Sequence, residues 1–204
     1  MRIYSYVVAR DFGFAPNPFY GFCTLATCKP VIRRVATVGD WVVGTGSARQ
    51  KHQDRLVYAM KISEVLTFDD YWSDTRFAEK KPNLHGSVKQ AFGDNIYHRT
   101  SREKPWRQED SHHSLSTGAI NIENMKDDTQ TNRVLISTEF VYYGGEGPEI
   151  PHPLRSFNGY DICAAGRNHK SIFPAELVAA FENWFRSLNE HGYLGAPLDW
   201  QTNH

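Results

Sequence analysis

The chain has 204 residues, of which 40% are hydrophobic and 13% aromatic, enough to bury a core and too apolar to remain disordered. Its 23 Lys plus Arg balance 23 Asp plus Glu, which excludes the global positive field that draws a protein onto long nucleic acid. Without a long apolar run or a leader pattern at the N-terminus, the expectation is one cytoplasmic domain with no membrane partner.

Residues 3–9 (IYSYVVA) are β-branched and aromatic and predict a strand. Residues 12–19 hold Gly13, Pro16 and Pro18, which exclude regular structure. They also hold three phenylalanines, so this loop is expected to fold back onto something. Residues 31–35 lead to a turn at Gly39-Asp40. Strands are then predicted over 41–47 and 56–66, paired as a hairpin or meander.

Residues 69–132 are polar, carry rings at irregular intervals and show neither a 2.0 nor a 3.6 period. So long an aperiodic, ring-rich stretch predicts an insertion that walls a pocket. Strands return at 133–137 and 140–143. Leu177, Val178, Phe181, Trp184, Phe185 and Leu188 then recur at spacings of three and four, predicting a helix over about 174–190, with Pro174 in its first turn and Gly192 as its stop. Trp184 and Phe185 lie on that apolar stripe and are assigned to the core.

Cys23, Cys28 and Cys163 form no C-x-x-C pair, so neither structural zinc nor a disulfide framework is expected. At most one of them carries chemistry, and the others read as small core residues. The glycine clusters at 44–47 and 144–147 open no amphipathic helix and read as turns.

The order of signals, with an N-terminal strand, a connection, Gly39-Asp40, an apolar strand, a small polar tip and a second apolar strand ending at Asp69-Asp70, resembles the PUA-like barrels of the EVE, ASCH and YTH groups. The implied class is α+β: a small mixed PUA-like β-barrel with strands in 1–68 and 133–165, the long irregular insertion 69–132 and a C-terminal amphipathic helix. Longer strings are similar to the nucleotide-modification-associated domain family, second type: YVVARDFGFAPNPF (6–19), CTLATCKP (23–30), GDWVVGTGS (39–47), KPN (81–83), DNIYH (94–98) and VLISTEFVYYGG (134–145). That resemblance spans roughly residues 1–170 and implies a place in systems that modify bases of phage or bacterial DNA. It brings no catalytic residue with it.

Three clusters are candidates for binding or chemistry. Arg10, Asp11, Asn17, Thr24 and Lys29 form the first, since Asn can pair with a base edge while Arg or Lys grips phosphate. An Arg10–Asp11 surface pair beside an Asn turn is the plainer alternative. The second joins Asp94, Asn95, Tyr97 and His98 with Ser111, His112 and His113. Asp94, His98 and His113 are the expected proton-transfer set, with a metal site, a pocket wall or a solvated loop as alternatives. No spacing there matches a metal motif, and no metal is assigned. The third, Arg167, Asn168, His169 and Lys170, would seat a phosphate ahead of the C-terminal helix, or else form a solvated capping loop.

Tyr71, Trp72, Tyr97 and Trp106 lie on no helical stripe, so one or two of them are expected to sandwich a base, worth roughly 1–3 kcal/mol. The resulting expectation is a nucleotide- or base-binding protein of a modification or phage-defence system, with acid/base chemistry on the ligand. Alternatives are a non-catalytic reader of a modified base, a structural partner, or a DNA ligand in a local groove. The sequence names no cofactor and leaves enzyme status and oligomeric state open.

Overall fold

The computed structural model describes every residue except 165, 167 and 201–204. In chain order its strands are β1 (Ile3–Val7), β2 (Cys23–Leu25), β3 (Trp41–Thr45), β4 (Leu56–Lys61), β5 (Glu64–Leu66), β6 (Tyr97–His98), β7 (Arg107–Gln108), β8 (Val134–Ser137), β9 (Glu139–Tyr142), β10 (His169–Lys170) and β11 (Gly192–Tyr193). The α-helices are α1 (Pro30–Val35), α2 (Phe68–Ser73), α3 (Val88–Ala91), α4 (Ile122–Asp128), α5 (His152–Arg155) and α6 (Ala175–Ser187). The chain is α+β and divides into two compact units. One comprises Met1–Asp11, Ala36–Ser63 and the chain from Ser137 onward; the other comprises Phe12–Val35 and Glu64–Ile136.

The first unit is a mixed sheet in the order β10-β1-β3-β4-β9-β11, with β1 parallel to β3 and β3, β4 and β9 antiparallel in turn. The expected barrel is not closed among the described residues, because the sheet ends in β10 and β11. Each of those edge strands is two residues long, too little ladder to complete a ring. Helix α6 buries Leu177, Val178, Phe181 and Phe185, one face at helical spacing, in a core with Trp41, Val43, Ala59 and Val141. Phe185 meets the Trp41 ring at 4.5 Å, edge to face. The helix is stopped after its C-cap Leu188 by Asn189, whose φ of 50° is the left-handed conformation that asparagine tolerates. Gly192, the expected stop, instead opens β11.

The strand expected over 56–66 is split into β4 and β5. Gly39 N–H donates to Ile62 O and Ile62 N–H to Asp40 O, so the Gly39-Asp40 turn grips the chain where a continuous 56–66 strand was expected and ends β4 at Lys61. Between β8 and β9, Ser137 Oγ lies within hydrogen-bond reach of both Lys61 O and Glu139 O and accepts from Glu139 N–H. Gly44 permits the closest approach in the sheet: a Cβ there would lie 2.3 Å from the Tyr58 ring and 2.7 Å from Val8.

The second unit holds the sheet β2-β8-β5, with β5 antiparallel to β8, and the β6–β7 ribbon. Its core is Phe14, Ala26, Phe68, Tyr71, Phe77, Ile96, Tyr97, Val134 and Ile136. The stretch read as aperiodic contains α2, α3 and α4, each started by a side-chain cap. Thr67 accepts from Asp70 N–H, Ser87 and Gln90 form a reciprocal capping box, and Asn121 accepts from Asn124 N–H. Residues 31–35 are the helix α1, begun by Pro30 at its first position. No helix among the described residues is long and apolar enough to cross a membrane.

Candidate functional site: a cysteine, a histidine and an aspartate

The chemistry of the second unit centres on the turn from β2 into α1. Cys28 and Lys29 stand in succession at φ 57° and φ 42°, a left-handed conformation that costs a non-glycine residue about 1 kcal/mol or more. Surrounding bonds hold them there. Arg33, a fully buried guanidinium, donates from Nε to Cys28 O at 2.8 Å, and from its other nitrogens to Asp128 O at 2.6 Å and Arg133 O at 2.9 Å. Cys28 N–H donates to Asp128 Oδ1 at 2.6 Å. The half-buried thiol is thereby fixed at the head of α1, out of line with the buried Cys23, and all three cysteines are free.

Against that thiol lies an imidazole. Cys28 Sγ is 3.7 Å from His113 Nε2, and His113 Nδ1 is 2.8 Å from Asp128 Oδ2. Tyr97 OH donates to the same carboxylate oxygen at 2.9 Å, and Gln108 Nε2 donates to Tyr97 OH and to His113 O. Burial alone would lower the His113 pKa, but the bonds to Asp128 and to Cys28 outweigh it and raise it to about 9. Thiol, imidazole and carboxylate thus form a chain in which Asp128 fixes the ring so that Nε2 faces sulfur.

Rings wall one side of this relay. Phe14, from the Pro-rich loop, packs against His113 at 4.6 Å and His112 at 5.3 Å. Phe12 stacks on Phe92 at 5.4 Å with planes 16° apart, and His112 meets Phe12 at 4.6 Å and Phe92 at 5.2 Å. The three phenylalanines expected to fold back therefore divide their work: Phe12 and Phe14 turn towards the histidines, and Phe19 is buried.

The family model described as nucleotide modification associated domain 2 matches residues 1–204, beyond the reach of the strings quoted above. The chain belongs to that family. No curated protein and no solved structure matches it.

In this nucleotide modification associated domain, the expected proton-transfer set does not assemble. Asp94 is buried and accepts from Thr24 Oγ1 and Tyr71 OH, both at 2.7 Å. His98 pairs with Glu109 at 2.7 Å and stacks on Trp72 at 3.9 Å. Of the three, His113 alone sits in a relay, and its partners are Cys28 and Asp128. Tyr97 is buried and supports that relay through its hydroxyl.

Several expected ligand contacts are spent inside the protein. Asn17 donates to Phe92 O and accepts from Lys80, while Asn95 donates to Tyr71 O. Lys80 is fully buried and gives its three donors to Asn17 O, Asn17 Oδ1 and Phe22 O, and burial lowers its pKa to about 8. Asp94 is pushed upward by burial, against the opposing pull of Lys80 and its hydrogen bonds. These groups form a polar core that pins the Pro-rich loop. Lys29, beside Cys28, is half-buried, and burial lowers its pKa while the adjacent thiol raises it.

The candidate base-stacking rings are also engaged. Trp72 lies between His98 and Lys81 Nζ, which is 3.9 Å from its centroid; Trp106 packs edge-on to Phe68 under the Arg99 guanidinium at 4.1 Å; and Tyr71 is buried. A cavity of about 460 Å³ is lined by Thr67, Asp69, Asp70, the 99–102 segment and Asn132. No group of three or more His, Cys, Asp or Glu among the described residues is arranged to hold a metal.

The remaining candidates belong to the first unit. Arg10 is exposed, whereas Asp11 is buried and accepts from Tyr142 OH and Leu198 N–H. His169 and Lys170 form β10 rather than a loop. Lys170 Nζ donates to Asp161 O and Cys163 O, which uses the charge within the protein rather than on a phosphate. Asn168 is exposed, and Arg167 lies outside the described residues. His169 and Lys170 also line a cavity of about 330 Å³ with Tyr160, Asp161 and Phe173.

Proposed function

We propose that this chain is an enzyme of a nucleotide-modification or phage-defence system, and that it acts on a nucleotide by covalent catalysis through Cys28. The observation that carries the reading is the Cys28–His113–Asp128 chain, 3.7 Å and 2.8 Å long at its two links. Membership of the nucleotide modification associated domain 2 family supports a nucleotide as the ligand class.

In the step envisaged, the Cys28 proton already rests on the His113 imidazolium, and Sγ attacks an electrophilic carbon of the nucleotide or of a group being moved to or from it. The new S–C bond displaces a heteroatom leaving group, which departs with the proton returned by the imidazolium. Water or a second nucleophile then releases the cysteine. Asp128 holds the tautomer and stabilises the imidazolium, and Tyr97, Gln108 and Arg33 position Asp128 and the Cys28 turn. Acid/base chemistry on the ligand, expected from His113, is retained in this reading, with the thiol as its partner in place of Asp94 and His98. The PUA-like order belongs to the same reading, supported by the parallel β1–β3 pair beside the antiparallel β3–β4 pair.

The test is intact-protein and peptide mass spectrometry after incubation with a nucleotide extract. An adduct on the Cys28 peptide that Cys28→Ser lacks is the expected result. Nucleotide that co-purifies or binds, with no adduct and no product at any time, would instead identify a non-catalytic reader.

A further inference from the structure

The cavity of about 460 Å³ in the second unit is walled by the start of α2, the 99–102 segment and Asn132. Small-molecule sites run from roughly 300 to 1,000 Å³, so it has the size of one. Its walls are fastened to each other. Arg99 donates from its backbone N–H to Asp69 Oδ1 at 2.8 Å and from its guanidinium to Asp69 Oδ2 at 3.0 and 2.5 Å, while its Nη1 donates to Arg102 O at 3.0 Å. The same guanidinium lies 4.1 Å from the Trp106 ring centroid. One side chain thus ties the 99–102 segment both to α2 and to itself. Phe68 N–H donates to Asn132 Oδ1 at 2.8 Å, which fixes the amide in the wall. A site held this way is formed before a ligand arrives.

The groups those bonds leave over decide what the cavity takes. Both oxygens of Asp69 are occupied by Arg99, which neutralises that carboxylate in place. Asp70 Oδ2 accepts from Thr67 Oγ1 at 2.6 Å, leaving Oδ1 as an acceptor. Among the described residues, none engages the Arg102 guanidinium, the Thr100 hydroxyl or Asn132 Nδ2. Thr100 and Arg102 are exposed and Asn132 is half-buried, so solvent reaches all three. The lining therefore offers one cation with hydroxyl and amide donors, and one carboxylate oxygen. A bare anion would meet the donors but also the Asp70 charge, and a neutral sugar would leave the Arg102 charge unused. A phosphate joined to a sugar uses both, with its oxygens accepting from the donors and a hydroxyl donating to Asp70. We infer that this cavity is a binding site for a phosphorylated sugar, free or as the ribose phosphate of a nucleotide. None of its lining residues belongs to the Cys28–His113–Asp128 relay, so the site does not depend on covalent chemistry at Cys28.

Isothermal titration with ribose 5-phosphate tests this, beside ribose, inorganic phosphate and adenosine 5′-monophosphate. The expected result is that ribose 5-phosphate binds more tightly than ribose or phosphate, and that Arg102→Ala weakens it by on the order of tenfold. Asn132→Asp should weaken it in the same direction, since a carboxylate there replaces the amide donors yet still accepts from Phe68 N–H. Melting temperature checks the fold of both variants. Equal affinity for adenosine 5′-monophosphate supports a site that reads the sugar phosphate alone; tighter binding of it, lowered by the same variants, supports the nucleotide as the source. Ribose 5-phosphate that binds no more tightly than ribose and phosphate, or whose affinity both variants leave unchanged, would overturn the inference. That failure alongside an adduct on Cys28 would leave the covalent mechanism standing and remove only this site.

Discussion

At Cys28 two left-handed backbone conformations in succession, a buried guanidinium and a carboxylate are all committed to the placement of one half-exposed sulfur. A cysteine with only a packing role needs none of these, because a small apolar side chain is placed by its neighbours alone. The raised pKa of His113 makes the arrangement measurable in stability. Its imidazole, ordinarily at 6.5, is held at about 9, so the folded state binds its proton more tightly than the unfolded chain does. The stabilisation is fully present below pH 6.5 and is lost as pH rises through 9, and at ~1.4 kcal/mol per unit its size is on the order of 3–4 kcal/mol. The difference in urea unfolding free energy between the wild type and His113→Gln should therefore shrink between pH 6 and pH 9.5. A difference that stays constant over that range would show that Asp128 and Cys28 do not hold the charged ring.

Of the relay, the sequence made His113 legible because histidine announces proton transfer by its residue type alone. Cys28 and Asp128 were not legible as its partners. They lie 85 and 15 residues from it, and a triad is defined by its geometry in space. One local sign was present: Pro30, two residues after Cys28, marks a helix start and so a sharp strand-to-helix turn at the cysteine.

At the scale of elements, the Pro-rich loop is ordered by a charge rather than by regular structure. Lys80, from the 3-10 turn Thr75–Lys80, replaces the ladder the loop lacks by donating to Asn17 and Phe22. Lys80→Met keeps the length and leaves three acceptors without their donor. The variant should lose about 3 kcal/mol of stability by urea denaturation, the penalty for the orphaned acceptors outweighing the relief from burying a cation. A loss below about 0.5 kcal/mol would mean that the loop is held elsewhere.

Legibility at this scale follows element length. The 13 residues of α6 carry enough turns for the 3.6 period to show, and β1, β3 and β4 are near-continuous apolar runs buried along almost their whole length. Helices α2, α3 and α4 have six, four and seven residues, too short for periodicity. Their caps, above all the Ser87-x-x-Gln90 box, were the readable signal. The strand expected over 133–137 is β8, whereas the 56–66 strand was split by the grip of Gly39 and Asp40 on Ile62, and its end, β5, pairs with β8, which the local pattern does not report.

For the whole molecule, the chain passes between its two units at residues 11–12, 35–36, 63–64 and 136–137, so the unit that carries the relay is not one contiguous insertion. The stretch 69–132 supplies His113, Asp128, Tyr97 and Gln108, while Cys28, Arg33 and the Phe12–Phe14 wall come from the earlier segment. Residues from separate segments meet only in the fold, so in the sequence His113 groups with Asp94 and His98 rather than with Cys28 and Asp128. Family membership over residues 1–204 covers both segments. The most direct test of the central claim is the rate of iodoacetamide alkylation at Cys28, followed by peptide mass spectrometry at pH 7 in the wild type and in His113→Ala. An activated thiol predicts that Cys28 reacts well ahead of Cys23 and Cys163 and that His113→Ala slows it about tenfold or more; an unchanged rate in His113→Ala would contradict the account.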